Sequence, residues 1–189
     1  MISDKTVLSA EDEAALDATI QEIAEGHGHV SNLMQTLALA PQGLAAFAAL
    51  SRYTLYGSHL TELQRQLAIV IAVRDVHYGW AHHEPLARAV GVTSDQLQLI
   101  RDGRVPKDLA PAEHALCDYA FEISAGRRLP QRVAEAVHQN FSARQIVDIA
   151  LLTSFSIAIA ALALALEVSI EPPETLQFEL EWQRHKAAG

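Results

Sequence analysis

Cysteine is all but absent from the 189-residue chain: Cys117 stands alone. One thiol cannot close an intrachain disulfide and has no second ligand at metal spacing, so a disulfide scaffold and a cysteine-based metal knuckle are both excluded. A reducing compartment is the expected setting, with Cys117 itself a small buried hydrophobe on a helix. Turn formers are sparse, at 9 Gly and 7 Pro, and no segment alternates polar with apolar residues convincingly. That argues against a turn-rich β architecture. Basic residues are also short: 14 Lys and Arg face 23 Asp and Glu, for a formal charge of −9. A surface that tracks phosphates needs a cationic patch, so no nucleic-acid partner is expected. The denser Lys and Arg between Arg101 and Arg132 are interleaved with acids and read as a solvated face. No apolar leader is expected either, because Asp4, Lys5, Glu11, Asp12 and Glu13 occupy the N-terminal stretch. The expected location is the cytoplasm.

What is present is apolar and helical. Hydrophobic residues make up 50% of the chain, with Ala and Leu dominant, which predicts an all-α fold. Hydroxyl residues followed three positions later by Gln or an acid mark helix starts. They are Ser9 with Asp12, Thr61 with Gln64, Thr93 with Gln96 and Ser142 with Gln145. Breakers fall at Gly26 and Gly28, Pro41 and Gly43, Gly57, Gly91, Gly103 with Pro106, Pro111, and Pro130. Together they predict helices near 10–25, 31–40, 43–56, 62–76, 78–90, 94–102, 112–125, 131–140, 143–167 and 174–186. No repeat or low-complexity linker divides them. The expectation is one domain over 1–189, with its core over roughly 30–170 and a polar C-terminal segment at 171–189. Ile149 to Leu166 is free of charge over 18 residues, just long enough to raise a membrane span. Its small Ala residues, Thr153, Ser154 and Ser156, and the lack of a basic C-terminal flank favour a soluble helix buried on all sides, in the core or between subunits. No membrane partner is expected.

The only dense group of titratable and aromatic side chains runs from Tyr78 to Gly91. The helix at 62–76 is expected to run into it without a break. If the segment is helical, Tyr78 and His82 share one stripe and Trp80 and Glu84 another, with His83 one step round. Pro85 cannot donate a backbone hydrogen bond, so a kink or a fresh helix start is expected there. An imidazole near neutrality moves protons, and a nearby carboxylate orients it. The candidate catalytic residues are therefore His83 and Glu84, with Tyr78, Trp80, His82 and His77 as substrate-binding residues. Any one of these histidines has an ordinary structural reading as a satisfied helix residue; the cluster is what raises the functional one. Metal ligation is disfavoured by spacing: His77 and His82 are five apart, and His83-Glu84 lacks a second His one turn on. His27 and His29 could contribute only if the fold brought them near. No metal and no cofactor are expected, and no nucleophilic Ser motif, phosphate loop or dinucleotide fingerprint appears.

Trp80-Ala-His-His-Glu-Pro-Leu-Ala-Arg-Ala-Val-Gly91 resembles the central signature of carboxymuconolactone decarboxylase-like proteins, the group that includes the AhpD-like alkylhydroperoxidases. The likeness extends upstream through Gly28 to Pro41, with Asn32-Leu33, and through Leu60 to Val70, with Arg65-Gln66-Leu67. Downstream it takes in Phe155 to Val168.

The resemblance implies an AhpD-like helical bundle of about eight to ten helices that assembles with itself as a dimer, trimer or hexamer. In the peroxidase branch it implies a Cys-x-x-Cys-x-x-x-His motif and an upstream Glu. Counted back from His83, the two Cys places fall on Val76 and Gly79, and the Glu place on Gln66 or Gln64. Only His83 survives, which excludes disulfide-based peroxidase chemistry. The remaining branch implies a cofactor-independent acid/base lyase or isomerase acting on a small carbonyl or lactone acid. The alternative is a non-catalytic small-molecule binder or structural oligomer that retains the fold.

Overall fold

The structure is a computed structural model that describes residues 8–188. Among the described residues there are ten α-helices and no strand: α1 (Ala10–His27), α2 (Asn32–Leu37), α3 (Pro41–Arg52), α4 (Glu62–Val73), α5 (His77–Ala89), α6 (Ser94–Arg101), α7 (Pro111–Ser124), α8 (Gln131–Asn140), α9 (Ala143–Ala165) and α10 (Pro173–Ala188). A π-helical turn, Tyr53–Gly57, follows α3. The predicted all-α class is the observed one, and the proposed hydroxyl caps are formed. Ser9 accepts from the backbone N–H of Asp12 at 3.1 Å, and Thr61, Thr93 and Ser142 each exchange hydrogen bonds with the Gln three residues on.

The chain divides into two compact units. One takes in the chain up to Tyr53 and from Leu162 onward. In it α1 packs on α3 and α10, and α2 on α3, around Ile23, Met34, Leu44 and Ala48. Gly28 ends α1 at φ 80°, and a Cβ there would fall 2.8 Å from the Trp182 ring. Backbone handedness and packing both require glycine.

The other unit, Thr54–Ala161, is built round α4, which packs on α5, α6 and α7, while α7 packs on α8. Leu67, Ala68, Ile69, Val70 and Ile71 are buried in succession, so α4 is enclosed on all faces, not along one stripe. Each fully buried Leu, Ile or Val contributes roughly 1.5–3 kcal/mol.

Two expectations about this unit are corrected. The helix at 62–76 does not run on into the His segment: α4 stops at Val73, and Val76 is extended at φ −118°, ψ 113°. The Arg74 guanidinium donates to the carbonyl of Ile71 at 2.8 Å, satisfying the helix end. Of the two outcomes expected at Pro85, a kink or a fresh helix start, the second is not found, because α5 continues through it.

The apolar helix α9 is long enough to cross a membrane by length and composition, but 44% of its most apolar window is buried inside the chain. Within one chain Ile149, Leu152, Phe155, Ser156, Ala160 and Ala163 are buried, while Val147, Leu151, Ser154, Ala158, Ala161 and Leu164 are exposed, so of the expected burial, in the core or between subunits, the core accounts for one face.

Candidate functional site

Helix α5 carries the candidate residues, and its first turn explains where they go. Val76 caps it with a carbonyl that accepts from Trp80 N–H at 3.0 Å, and Gly79 lets the turn approach Val73. Tyr78 and His82, one turn apart, are both buried, with ring centroids 4.8 Å apart and planes tilted by 45°. His77 points outward and is exposed. Trp80 is half-buried and lies under the guanidinium of Arg101 from α6, whose Cζ is 4.6 Å from the ring centroid. That contact covers one face of the expected aromatic wall with a cation.

His83 is half-buried and turns toward α4, where its Nδ1 lies 3.2 Å from Gln66 Oε1. Gln66, only 3% exposed, donates from Nε2 to Glu62 Oε1 at 2.9 Å. The other carboxylate oxygen of Glu62 bonds Arg65, and Arg65 also reaches the Leu60 carbonyl at 2.5 Å. An imidazole, an amide, a carboxylate and a guanidinium thus form one hydrogen-bonded line along α4. Glu84, expected as the partner of His83, forms an ion pair with Arg88 one turn on, and Arg88 also donates to Ser94 Oγ at 2.5 Å. The carboxylate traced to His83 is Glu62, which the sequence reading passed over. Half of that link is local, since Glu62 is four residues before Gln66 and shares its helical face, and the other half is the packing of α5 on α4.

The two positions at which the resemblance would place an acid now separate. Gln66 faces His83, whereas Gln64 is occupied as a cap, accepting from Thr61 N–H at 3.0 Å and donating to Glu113 at 3.1 Å. Gln96 repeats that pattern with Thr93 and Asp108.

The places where thiols would be needed are built for other residues. Val76 is the extended cap residue of α5. A Cβ on Gly79 would fall 2.7 Å from Val73 Cβ. A dithiol cycle within one chain needs two cysteines, and the chain has one. Cys117 is fully buried in α7, and burial first, then the charges of Asp118 and Glu113, pushes its thiol well above the ordinary range. It is poorly suited to form the nucleophilic thiolate. Among the described residues no group of three His, Cys, Asp or Glu side chains is placed to hold a metal ion.

No protein-family model matches the chain, and no curated protein matches its sequence. Solved structures do. The debrominase Bmp8 in its apo form is 19% identical over 94% of this chain and 98% of its own, with a TM-score of 0.69. An uncharacterised peroxidase-related protein from Silicibacter sp. TM1040 is 20% identical over 90% of this chain and 89% of its own, also at 0.69. A protein of unknown function from Agrobacterium tumefaciens, described as a putative antioxidant defence protein AhpD, is 18% identical over 72% of this chain and 96% of its own, at 0.65. At such identities the likeness is one of fold: the chain has the all-helical AhpD-like fold, with Val76 and Gly79 where the resemblance would place its thiol pair.

Proposed function

We propose that the chain is a cofactor-independent acid/base enzyme, a lyase or isomerase, in which His83 transfers a proton to or from a small carbonyl or lactone acid. The observation that carries this reading is the line from His83 through Gln66 to Glu62. It holds an imidazole in a set orientation beside a nearly dry amide, which is what a general base needs and a surface histidine lacks. For a decarboxylation, the neutral imidazole first takes the proton of the substrate's carboxylic acid, the bond to the departing CO2 breaks, its electron pair passes into the conjugated carbonyl, and the imidazolium returns that proton to the carbon. Arg101 suits the acid group of such a substrate. Its guanidinium rests on Trp80, three residues before His83 on α5, and no carboxylate among the described residues pairs with it. A similar structure, a cysteine-to-alanine variant of the debrominase Bmp8, is described in complex with 2,3,4-tribromopyrrole. The ligand of that neighbour is a small unsaturated ring, which supports trying such rings here.

Self-association belongs to the same proposal. The exposed residues of α9 recur at alternating spacings of four and three, from Val147 through Leu151, Ser154 and Ala158 to Ala161. That is the seam of a helix that packs on another helix, and a second copy of α9 fits it. The proposed setting is the cytoplasm. A panel of unsaturated lactones and keto acids, followed for loss of CO2 or a shift in absorbance, tests the reading. Turnover abolished by His83→Asn supports it, and unchanged turnover sinks it.

A second reading, a non-catalytic binder or structural oligomer, is favoured by one observation: an amide, which does not pass a proton as a carboxylic acid does, stands between Glu62 and His83. Saturable binding of panel compounds without any conversion would select it.

A further inference from the structure

We infer that Glu62 and Gln66 are positioning residues that lock His83 in its Nδ1–H tautomer, making Nε2 the nitrogen that accepts and returns the proton. The assignment of Nε2 as the working atom rests on the acid/base reading above; the tautomer is a property of the resting protein.

The argument runs through the donors and acceptors each group owns. A carboxylate has acceptors only. Gln66 must therefore turn its NH2 toward Glu62, whose Oε1 lies 2.9 Å from Nε2. The opposite orientation would set a carbonyl oxygen against a carboxylate oxygen at that distance. Amide oxygen and nitrogen have almost the same shape, so it is the chemistry of Glu62 that decides between them. The Gln66 carbonyl is then left facing His83 Nδ1 at 3.2 Å. A carbonyl only accepts, so this contact calls for the neutral ring's proton on Nδ1, which puts its lone pair on Nε2. Arg65 completes the line by holding the second oxygen of Glu62, while anchored on the Leu60 carbonyl at 2.5 Å. Because Gln66 is 3% exposed, water competes little for its amide. The amide cannot replace Glu as a proton relay. It does make the identity of the basic nitrogen a consequence of Glu62, two hydrogen bonds away.

Long-range proton–nitrogen correlation spectra of the nitrogen-15-labelled full chain read the tautomer directly, at a pH where imidazoles are neutral. The His83 signals are identified by their loss in His83→Asn. The expected wild-type pattern is a pyrrole-type Nδ1 and a pyridine-type Nε2, in at least about a tenfold excess over the other form, the ratio set by a charge-supported hydrogen-bond line. Glu62→Gln supplies an amide that donates as well as accepts, so Gln66 is able to turn over. The Nε2–H form should then rise to a comparable share. A wild-type spectrum with the proton on Nε2 overturns the inference, as does a Glu62→Gln spectrum that keeps the wild-type ratio. The wild-type spectrum decides alone if the variant does not fold. It needs no substrate, so its failure is distinct from that of the acid/base reading, which falls if His83→Asn turns over normally or if panel compounds bind without conversion.

Discussion

Gly79 lies against Val73 so closely that a Cβ built on it falls 2.7 Å from Val73 Cβ and 2.8 Å from its Cγ1. This contact closes the turn between α4 and α5 and aims the His segment. In an uncrowded helix, Gly→Ala stabilises by about 1 kcal/mol. Here the overpacking cost of about 1–3 kcal/mol opposes it, and wins because Val73 is itself only 1% exposed and the contact is at the rigid Cβ. Gly79→Ala should therefore lower stability in a urea titration. A gain of stability would show that the turn is looser than described. For the same reason Val76→Cys/Gly79→Cys should not install a working thiol pair, because the second side chain has no room without moving Val73.

Cys117 sets an alkaline limit on stability. Burial holds its thiol protonated in the fold, above the free value of 9.0. The folded state then binds the proton more tightly than the unfolded state. The resulting contribution is fully present below the free value and is lost as pH rises above it, at up to about 1.4 kcal/mol per pH unit. Tyr119, also raised by burial, adds in the same direction at higher pH. Unfolding free energies measured on either side of the free thiol value should fall more steeply for the wild type than for Cys117→Ala. Parallel slopes would contradict the account.

The readable parts of the sequence were those whose physics is local. Ser9, Thr61, Thr93 and Ser142 announced their helices because a cap needs only a hydroxyl and a backbone N–H a few residues on. The stripe shared by Tyr78 and His82 followed from helical spacing alone, and both are buried with their rings together. The break at Arg74 to Val76 was not readable as a break. It contains neither Gly nor Pro, and the glycine that permits it, Gly79, lies beyond it in the chain. Adjacency in sequence pairs Glu84 with His83, but Arg88 four residues on is the better-placed partner on a helix. The link of Glu62 to His83 is not legible in the sequence because it crosses between two helices through Gln66, a relation that the packing of α5 on α4 creates.

The uncovered face of α9 makes a prediction about assembly. Leu151 is 38% and Leu164 64% exposed, on a helix with no charge across that stretch. Leu151→Glu places a charge in the middle of the proposed seam and should shift sedimentation velocity from an oligomer to the monomer, with the helical circular dichroism retained. A wild type that sediments as a monomer would remove the seam from the account.

The central claim, that His83 moves the proton, is tested most directly by the pH dependence of kcat/KM on whichever panel compound is turned over. The wild type should show an inflection in the imidazole range, and His83→Asn should lose that inflection together with about 10²–10⁴-fold in kcat/KM. A variant that keeps both the rate and the inflection would contradict it.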